Sequence, residues 1–579
     1  MLINSDKVEG RCVWSRWKQV GSLASTQRRV LTDLNTSSTE CAPKENGRYF
    51  LEVLPTEVLV TRMWFLFIYA ACLVSSVPSR DTGCPAQCQC YTGIIGIGKN
   101  GYIIQSNLQN MTRIPDLSGL TSNPQPKLLR LEKKAITRVT QTDFPEGIRI
   151  TRIILSNNRE MKLEDGAFSN LHDSLEYLNL EITKIFFNKT LTFLRGLSRL
   201  EYLDLSFNNK YHYEFGDPNI SSRLFDGLGL SSLKALKMYN SNIQSLGADV
   251  FLGIETLEEL DLAGNLLPGV PDGCARLSAL KVVDLSNSRF TTLKRKSFVN
   301  NKKLMTLKIL YSKVTTIDPD AFVGLEKSLQ VLKMQQCKLS KFPTDALKHL
   351  TALKALDLQM NPLATIPDGS LSGSFCLKDL HISQTYIKVT RNIFKGQENC
   401  IKNLYLRDMG LDNIPTESLR SLKKLQHLFL NGNEIKVLCK DSLTGIKASL
   451  LVFDNNPLAR IEKGAFQNLT HPLYLEFQNT LLKDLHFTLD YDTGTFGSIN
   501  VRGVSLECDC TVARLIHEGV SLSGACNAMG TQMDLRDSKL PGLLSDSCPT
   551  SESHCVRGHA YLLTVICLFV VSSVRKVIF

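Results

Sequence analysis

The chain has 579 residues, 43% of them hydrophobic and 21% charged, a composition that excludes wholesale disorder. It is far longer than the roughly 250 to 300 residues at which a single core stops growing, so it holds several domains or one modular array. The net charge of +11 comes from 67 basic and 56 acidic residues with no Lys/Arg block. That argues against a nucleic-acid partner, which needs clustered cations, and leaves open a weaker preference for acidic glycans.

Residues 1–62 lack periodicity and read as a non-native or disordered extension. Residues 63–79, MWFLFIYAACLVSSVPS, have the anatomy of a signal peptide: Arg62 before an apolar run, and small residues after it. The apolar run at 64–74 is shorter than the roughly 17 to 25 residues of a bilayer span, so it is expected to be cleaved, with Met63 as the natural start. An uncleaved anchor is the rival reading.

Beyond the signal peptide, cysteines cluster at both ends of the chain: Cys84, Cys88 and Cys90, then Cys508, Cys510, Cys526 and Cys548. Terminal clusters point to disulfide caps and an oxidising compartment. They bound an N-terminal cap at 84–125 and a C-terminal cap at 496–548. Within the first, Gly96, Gly98 and Gly101 formally match a dinucleotide fingerprint, but without the strand-turn-helix context that a nucleotide needs.

Between the caps a pattern recurs. The segment LEELDLAGNLL at Leu257 is echoed at Leu200, Leu353, Leu377, Ile401 and Leu425, and weaker copies bring the starts to 126, 150, 175, 200, 233, 257, 280, 304, 329, 353, 377, 401, 425, 448 and 472. Fifteen units, nearly all 23 to 25 residues long, fill 126–495. In LxxLxLxxN each unit gives one short strand with inward leucines, and stacking joins them into a continuous core that no unit could close alone. The ninth position is Asn at 158, 208, 265, 361, 433 and 456, and Thr, Ser or Cys at seven others. An inward polar side chain there satisfies backbone groups that no ladder reaches. Lys134 and Met409 break this rule and predict interruptions. Phe168, Phe251, Phe298, Phe322, Phe394 and Phe466 recur on the returning side as a second core layer.

Cys376 and Cys400 stand at equivalent positions just before adjacent strands. They are either a disulfide between stacked units, whose strand spacing of about 4.8 Å is within reach, or two separate buried thiols. Cys274 and Cys337 occupy core positions. Cys439 has no assigned role.

The x positions point away from the core and line one long concave face. The middle x runs Asp204, Lys237, Asp261, Asp284, Lys308, Lys333, Asp357, His381, Tyr405, Phe429, Val452, from alternating charge into aromatics. His381, Tyr405, Arg407, His427 and Phe429 are one candidate binding cluster, being residue types that dominate interface hot spots. Tyr239, Lys308, Tyr311 and Lys333 are a second. The alternative for both is that the rings merely fill the sheet surface. The unit at Leu200 carries a surplus, NNKYHYEFGDPNISS, expected as a loop at a binding face or folded over the convex side.

Asn110, Asn188, Asn219 and Asn468 head glycosylation sequons. There is no HExxH, no GxSxG and no His near a nucleophile and carboxylate at informative spacing, so no enzyme, metal or cofactor is expected. After a polar spacer at 549–559, residues 560–579 form a hydrophobic tail. It suits a glycolipid-anchor signal or, given Arg575 and Lys576, a short transmembrane helix. On either reading no cytoplasmic module follows.

CPAQCQC at Cys84, the LxxLxLxxN repeat, and CDC at Cys508 with Cys526 and Cys548 together resemble the capped extracellular leucine-rich repeat proteins, a group that includes Toll-type ectodomains, Slit, chaoptin and the variable lymphocyte receptors of jawless fish. The resemblance covers about 84–548. It implies an α/β-type repeat solenoid, a curved horseshoe with a parallel concave sheet and a mostly irregular convex side. It also implies the pairings Cys508 with Cys526 and Cys510 with Cys548. In the N-terminal cap Ser106 stands where that family has a fourth cysteine, leaving one thiol of three without its partner: Cys88, if Cys84 pairs with Cys90. The expected role is a cell-surface binding protein, an adhesion molecule or co-receptor held at the outer face of the plasma membrane or secreted, that recognises an extracellular protein on its concave face. The alternative is innate recognition of microbial glycan or lipid.

Overall fold

The computed structural model describes residues 83–548 apart from 97, 212, 213, 222, 374, 470, 471, 493, 529, 546 and 547. The segments expected as an extension, a signal peptide and a hydrophobic tail lie outside the described residues.

Each coil starts from a strand of three to five residues whose central side chain points inward. Leu178, Leu203, Leu236, Leu260, Leu307, Leu356, Leu404 and Leu428 are fully buried, while the residues on either side face outward. Neighbouring strands pair in parallel and in register, Leu236 against Leu203 and Leu260, and Leu404 against Leu380 and Leu428. The inward leucines therefore stack into one core that runs from Cys90 to Leu544. Burying one such side chain stabilises by about 1.5 to 3 kcal/mol. The fifteen strands begin within two residues of the starts read from the repeat.

The sheet extends past the repeats in both directions. Twenty strands form it, and eighteen are parallel, from Lys99–Gln105 to Ser521–Ala528. At each end an antiparallel strand closes the stack: Gln89–Gly96 before the first and Thr531–Asp534 after the last. The cap cysteines sit on these closures. Cys84 is bonded to Cys90, Cys508 to Cys526 and Cys510 to Cys548. Cys88 is a half-buried thiol, its pKa pushed up to about 11 by burial. Ser106 stands in for the missing cysteine with a hydrogen bond: its hydroxyl donates to the carbonyl of Gln87, next to Cys88, at 2.8 Å. The glycine motif is a β-hairpin turn. Gly98 has φ +68°, and a strand follows it, not the helix that a pyrophosphate would need.

After each of the fifteen repeat strands the chain turns through the left-handed region at the eighth repeat position, from Lys133 through Ile182, Phe207 and Gly264 to Asn479. This conformation is costly for side chains that carry a Cβ. The ninth position supports it from inside. Asn265 donates to the carbonyls of Met238 (2.9 Å) and Leu262 (2.8 Å) and accepts from the amides of Ser241 (2.9 Å) and Ile243 (3.0 Å), tying two coils together. The predicted break at Met409 is one-sided. The residue supplies no rung, yet its amide donates to Asn433 Oδ1 at 2.9 Å.

The returning side has turns, two four-residue helices at Thr344–Leu347 and Thr416–Leu419, and short parallel pairs such as Arg138–Val139 with Lys162–Leu163. The phenylalanines predicted as the second layer are buried there. The surplus of the Leu200 unit leaves the stack after the strand Tyr202–Asp204. It departs after Asn209 as an antiparallel hairpin, Lys210–Tyr211 with Glu214–Phe215, and rejoins at Asn219–Ile220, which pairs with Ser245–Leu246 in the second layer. The carboxamide of Asn209 donates to the Asp217 carbonyl at 3.1 Å and closes the hairpin base.

Candidate functional site: the outward face of the parallel sheet

Because the strands pair in register, the middle x residues form one row, and the ladder places His381 beside Tyr405, Tyr405 beside Phe429 and Phe429 beside Val452. Three of them stack as a column. The His381 and Tyr405 rings lie 3.7 Å apart at 14°, and Tyr405 and Phe429 lie 4.3 Å apart at 5°. The Arg407 guanidinium covers one side, 5.1 Å from the Tyr405 ring and 4.9 Å from that of Phe429, a favourable cation–π geometry. Stacking changes what the column offers. Tyr405 is only 7% exposed, so it serves as the middle of a wall whose accessible parts are Phe429, His381 and Arg407.

Burial first, then the charges of Arg407 and Lys333, push the His381 pKa down to about 3, so the ring is neutral near pH 7. Burial raises the Asp454 carboxyl to about 6, with Glu476 adding to the shift. In adjacent coils, the Nε of Arg407 and the Oδ1 of Asn431 are buried with no hydrogen-bond partner among the described residues. A donor and an acceptor thus flank the rings unsatisfied, a costly state unless something else binds them. His427 lies in the neighbouring outward row, followed by Leu450 and Tyr474. Tyr474 is 43% exposed and extends the apolar area beyond the residues singled out from sequence.

Just before this column, Cys376 is bonded to Cys400 with their Cα atoms 5.2 Å apart. The bond links the coils that carry His381 and Tyr405, five residues upstream of each ring.

The second predicted cluster assembles only in part. Lys308 and Lys333 are register neighbours, but Lys308 pairs with Asp284 at 3.4 Å. Tyr239 belongs to a coil three strands away and packs edge-on against Phe207 at 5.1 Å. Tyr311 is the left-handed turn residue of its coil, φ +53°.

A second column stands elsewhere, in the other outward row. The Arg152 guanidinium lies 3.8 Å over the Tyr177 ring, and Tyr177 stacks on Tyr202 at 4.4 Å and 6°. Repeat analysis of the middle x alone passes over it, although its signal is in the chain: Glu-Tyr-Leu occurs at 176–178 and again at 201–203, at the same repeat position. Closer to the N-terminus the same face carries a small apolar group, Ile95, Ile103 and Leu128, with Tyr91 and Ile154 against it.

The four sequon asparagines, Asn110, Asn188, Asn219 and Asn468, are exposed, and none belongs to a strand of the main sheet. Among the described residues no group of His, Cys, Asp and Glu is arranged to hold a metal ion, and no helix is long and apolar enough to cross a membrane.

The family profile for "Leucine rich repeat" matches residues 278–339, and that for "BspA type Leucine rich repeat region (6 copies)" matches 340–472. These coils are leucine-rich repeats. Mouse podocan is 27% identical over 349 residues, covering 56% of this chain and 56% of podocan. The chain thus spans about half the length of that relative. Among solved structures the solenoid is similar to one titled as the mouse RP105/MD-1 complex (TM-score 0.56, 21% identity, 76% of this chain and 77% of that one). It is also similar to one titled as a TLR13–ssRNA13 complex (TM-score 0.51, 21% identity, 72% and 61%). At such identities the likeness extends to the fold.

Proposed function

We propose that this leucine-rich repeat chain is an extracellular recognition protein, an adhesion molecule or co-receptor, that binds a protein partner on its concave sheet, and that it is not an enzyme. One observation carries the reading: the His381–Tyr405–Phe429 column with Arg407, where stacked rings are flanked by a buried donor and a buried acceptor left without partners among the described residues. Rigid rings and arginine at the centre of a face are what partners seize in hot spots. That no sequon among the described residues falls on a strand of the main sheet supports the same face, because glycans there would obstruct a partner. Relatives of the podocan and Toll-like type support an extracellular binding or receptor role. The disulfides support an oxidising compartment. Attachment to the membrane through 560–579 and cleavage after 63–79 belong to the same proposal.

One similar fold is titled as an RNA complex, but our reading for this chain stays with protein, because its outward strand positions between 175 and 286 carry four carboxylates against one lysine, and these repel phosphates. Recognition of microbial glycan or lipid is a second reading, supported by the apolar ring surface of Phe429 and Tyr474.

A binding screen of residues 80–548 against cell-surface ectodomains, microbial polysaccharides and single-stranded RNA separates the readings. For the partner found, Phe429→Ala and Tyr405→Ala are each expected to weaken binding by about 30-fold, the equivalent of the ~2 kcal/mol that marks a hot spot. Unchanged affinity in both variants sinks the column as the site.

A further inference from the structure

The Arg152–Tyr177–Tyr202 column is finished at one end and open at the other. Arg152 closes the first face of the tyrosine pair. On the other side, the strand next to Tyr202 presents Ala235, and the strand beyond that presents Glu259. A methyl group fills little of the width of a strand, about 4.8 Å, so the second face of the Tyr202 ring looks into a notch floored by Ala235 and walled by Glu259. That width is close to the 4.4 Å at which Tyr177 already stacks on Tyr202.

The surroundings are acidic in a chain whose net charge is +11. Glu181, Asp204, Glu259, Asp261 and Asp284 face outward across five consecutive coils, with Lys237 as the single cation among the strand positions. Lys237 pairs with Glu259 and reaches Asp261 at 3.9 Å. Asp204 is less engaged. Its Oδ1 accepts from the Ser206 amide at 2.9 Å, while its Oδ2 has a 3.5 Å contact with the Tyr202 hydroxyl. On the same strand as Tyr202, then, this oxygen is held by a long contact alone, in a carboxyl whose pKa burial raises against the pull of Ser206, Lys237 and Tyr202.

We infer that this notch binds the side chain of an arginine presented by a basic segment of a protein partner, its guanidinium stacked on Tyr202 over Ala235 and hydrogen-bonded to Asp204. The chain already shows the stacking half of this geometry on the far face of the pair, where its own Arg152 lies over Tyr177. Arginine fits better than lysine, because a planar guanidinium both stacks on a ring and donates to a carboxylate in two directions, which an ammonium cannot do. The site shares no residue with the His381–Tyr405–Phe429 column and stands or falls separately from it.

The test uses a fluorescein-labelled peptide with two arginines in a Gly/Ser background, and its lysine twin, titrated with residues 80–548 at about 150 mM salt, where long-range charge effects are screened beyond roughly 8 Å. The arginine peptide is expected to bind about 10-fold more tightly than its twin. Tyr202→Ala should cost about 10-fold, and Tyr386→Ala, at a 79% exposed ring outside both columns, nothing. Ala235→Met fills the notch without removing a core group and should also cost about 10-fold, which keeps the test valid if Tyr202→Ala disturbs folding. Equal affinity for the two peptides, no effect of Ala235→Met, or no binding of the arginine peptide overturns the inference. Equal damage from Tyr386→Ala does the same.

Discussion

At the scale of single residues the solenoid depends on polar side chains that never reach its surface. Asn265 satisfies two amides and two carbonyls across two coils. Asn265→Ala is therefore expected to lower stability by about 3 kcal/mol, since each buried group left unpaired costs roughly 1 to 3 kcal/mol. Urea unfolding checks it, and a loss below about 1 kcal/mol would mean that water takes over the rung. His381 makes a prediction about pH. An unfolded histidine titrates near 6.5, whereas the stacked ring is held down to about 3. Below pH ~6.5 the unfolded chain takes up a proton that the folded chain refuses, so the stabilisation is complete above ~6.5 and is lost as the pH falls toward 3. His381→Phe keeps a ring in the stack and removes the titration. Its urea midpoint relative to the wild type should rise steadily between pH 7 and pH 4, and a constant difference would show that the ring is not buried as described.

At the scale of elements, neighbouring coils are held by different means at different places. Cys376–Cys400 ties together the coils behind the ring column, whereas the N-terminal cap closes on one disulfide and a hydroxyl bond from Ser106. Ser106→Cys is expected to bond with Cys88, since the hydroxyl already touches the residue next to that thiol. A cross-link closing so short a loop stabilises by about 2 to 4 kcal/mol. A raised melting temperature with loss of thiol alkylation at Cys88 checks it; a Cys88 that still alkylates refutes it. Repeat position left Cys376 and Cys400 as either a disulfide or two separate thiols, and the pairing of Cys508 with Cys526 came from family resemblance; stacking of the coils decides the first by bringing the two Cα atoms to 5.2 Å. The Leu200 surplus has no equivalent in the other units, and its course, a hairpin that rejoins at Asn219–Ile220 beside Ser245–Leu246, depends on contacts made only once coils stack.

At the scale of the whole molecule the array is one core without a centre. Each coil touches its neighbours alone, so a disturbance should spread only a short distance along the stack. Replacing Cys508 and Cys526 by serine is expected to speed hydrogen exchange in the last two or three coils, around Leu475 and Ile499, and to leave coils near Leu260 unchanged. Uniform acceleration along the chain would show instead a single cooperative unit. The same geometry sets two ring columns at separate stations on one face, so binding at one need not alter the other.

What sequence alone determined is whatever the core demands. Leucines at 23- to 25-residue spacing, polar residues at the ninth position and cysteines at the ends leave one way to hide apolar surface, and the strands appear within two residues of where the pattern puts them. The outward side chains are under no such demand, and only the tertiary structure decided how they associate. Register across the strands made neighbours of His381, Tyr405 and Phe429, hid most of Tyr405 between the other two, and left Tyr239 three strands from Lys308. It also built the Arg152–Tyr177–Tyr202 column. A repeat states which face a residue occupies, but whether its ring stacks, and on what, depends on rotamers and contacts between coils that are remote in sequence and adjacent only in space.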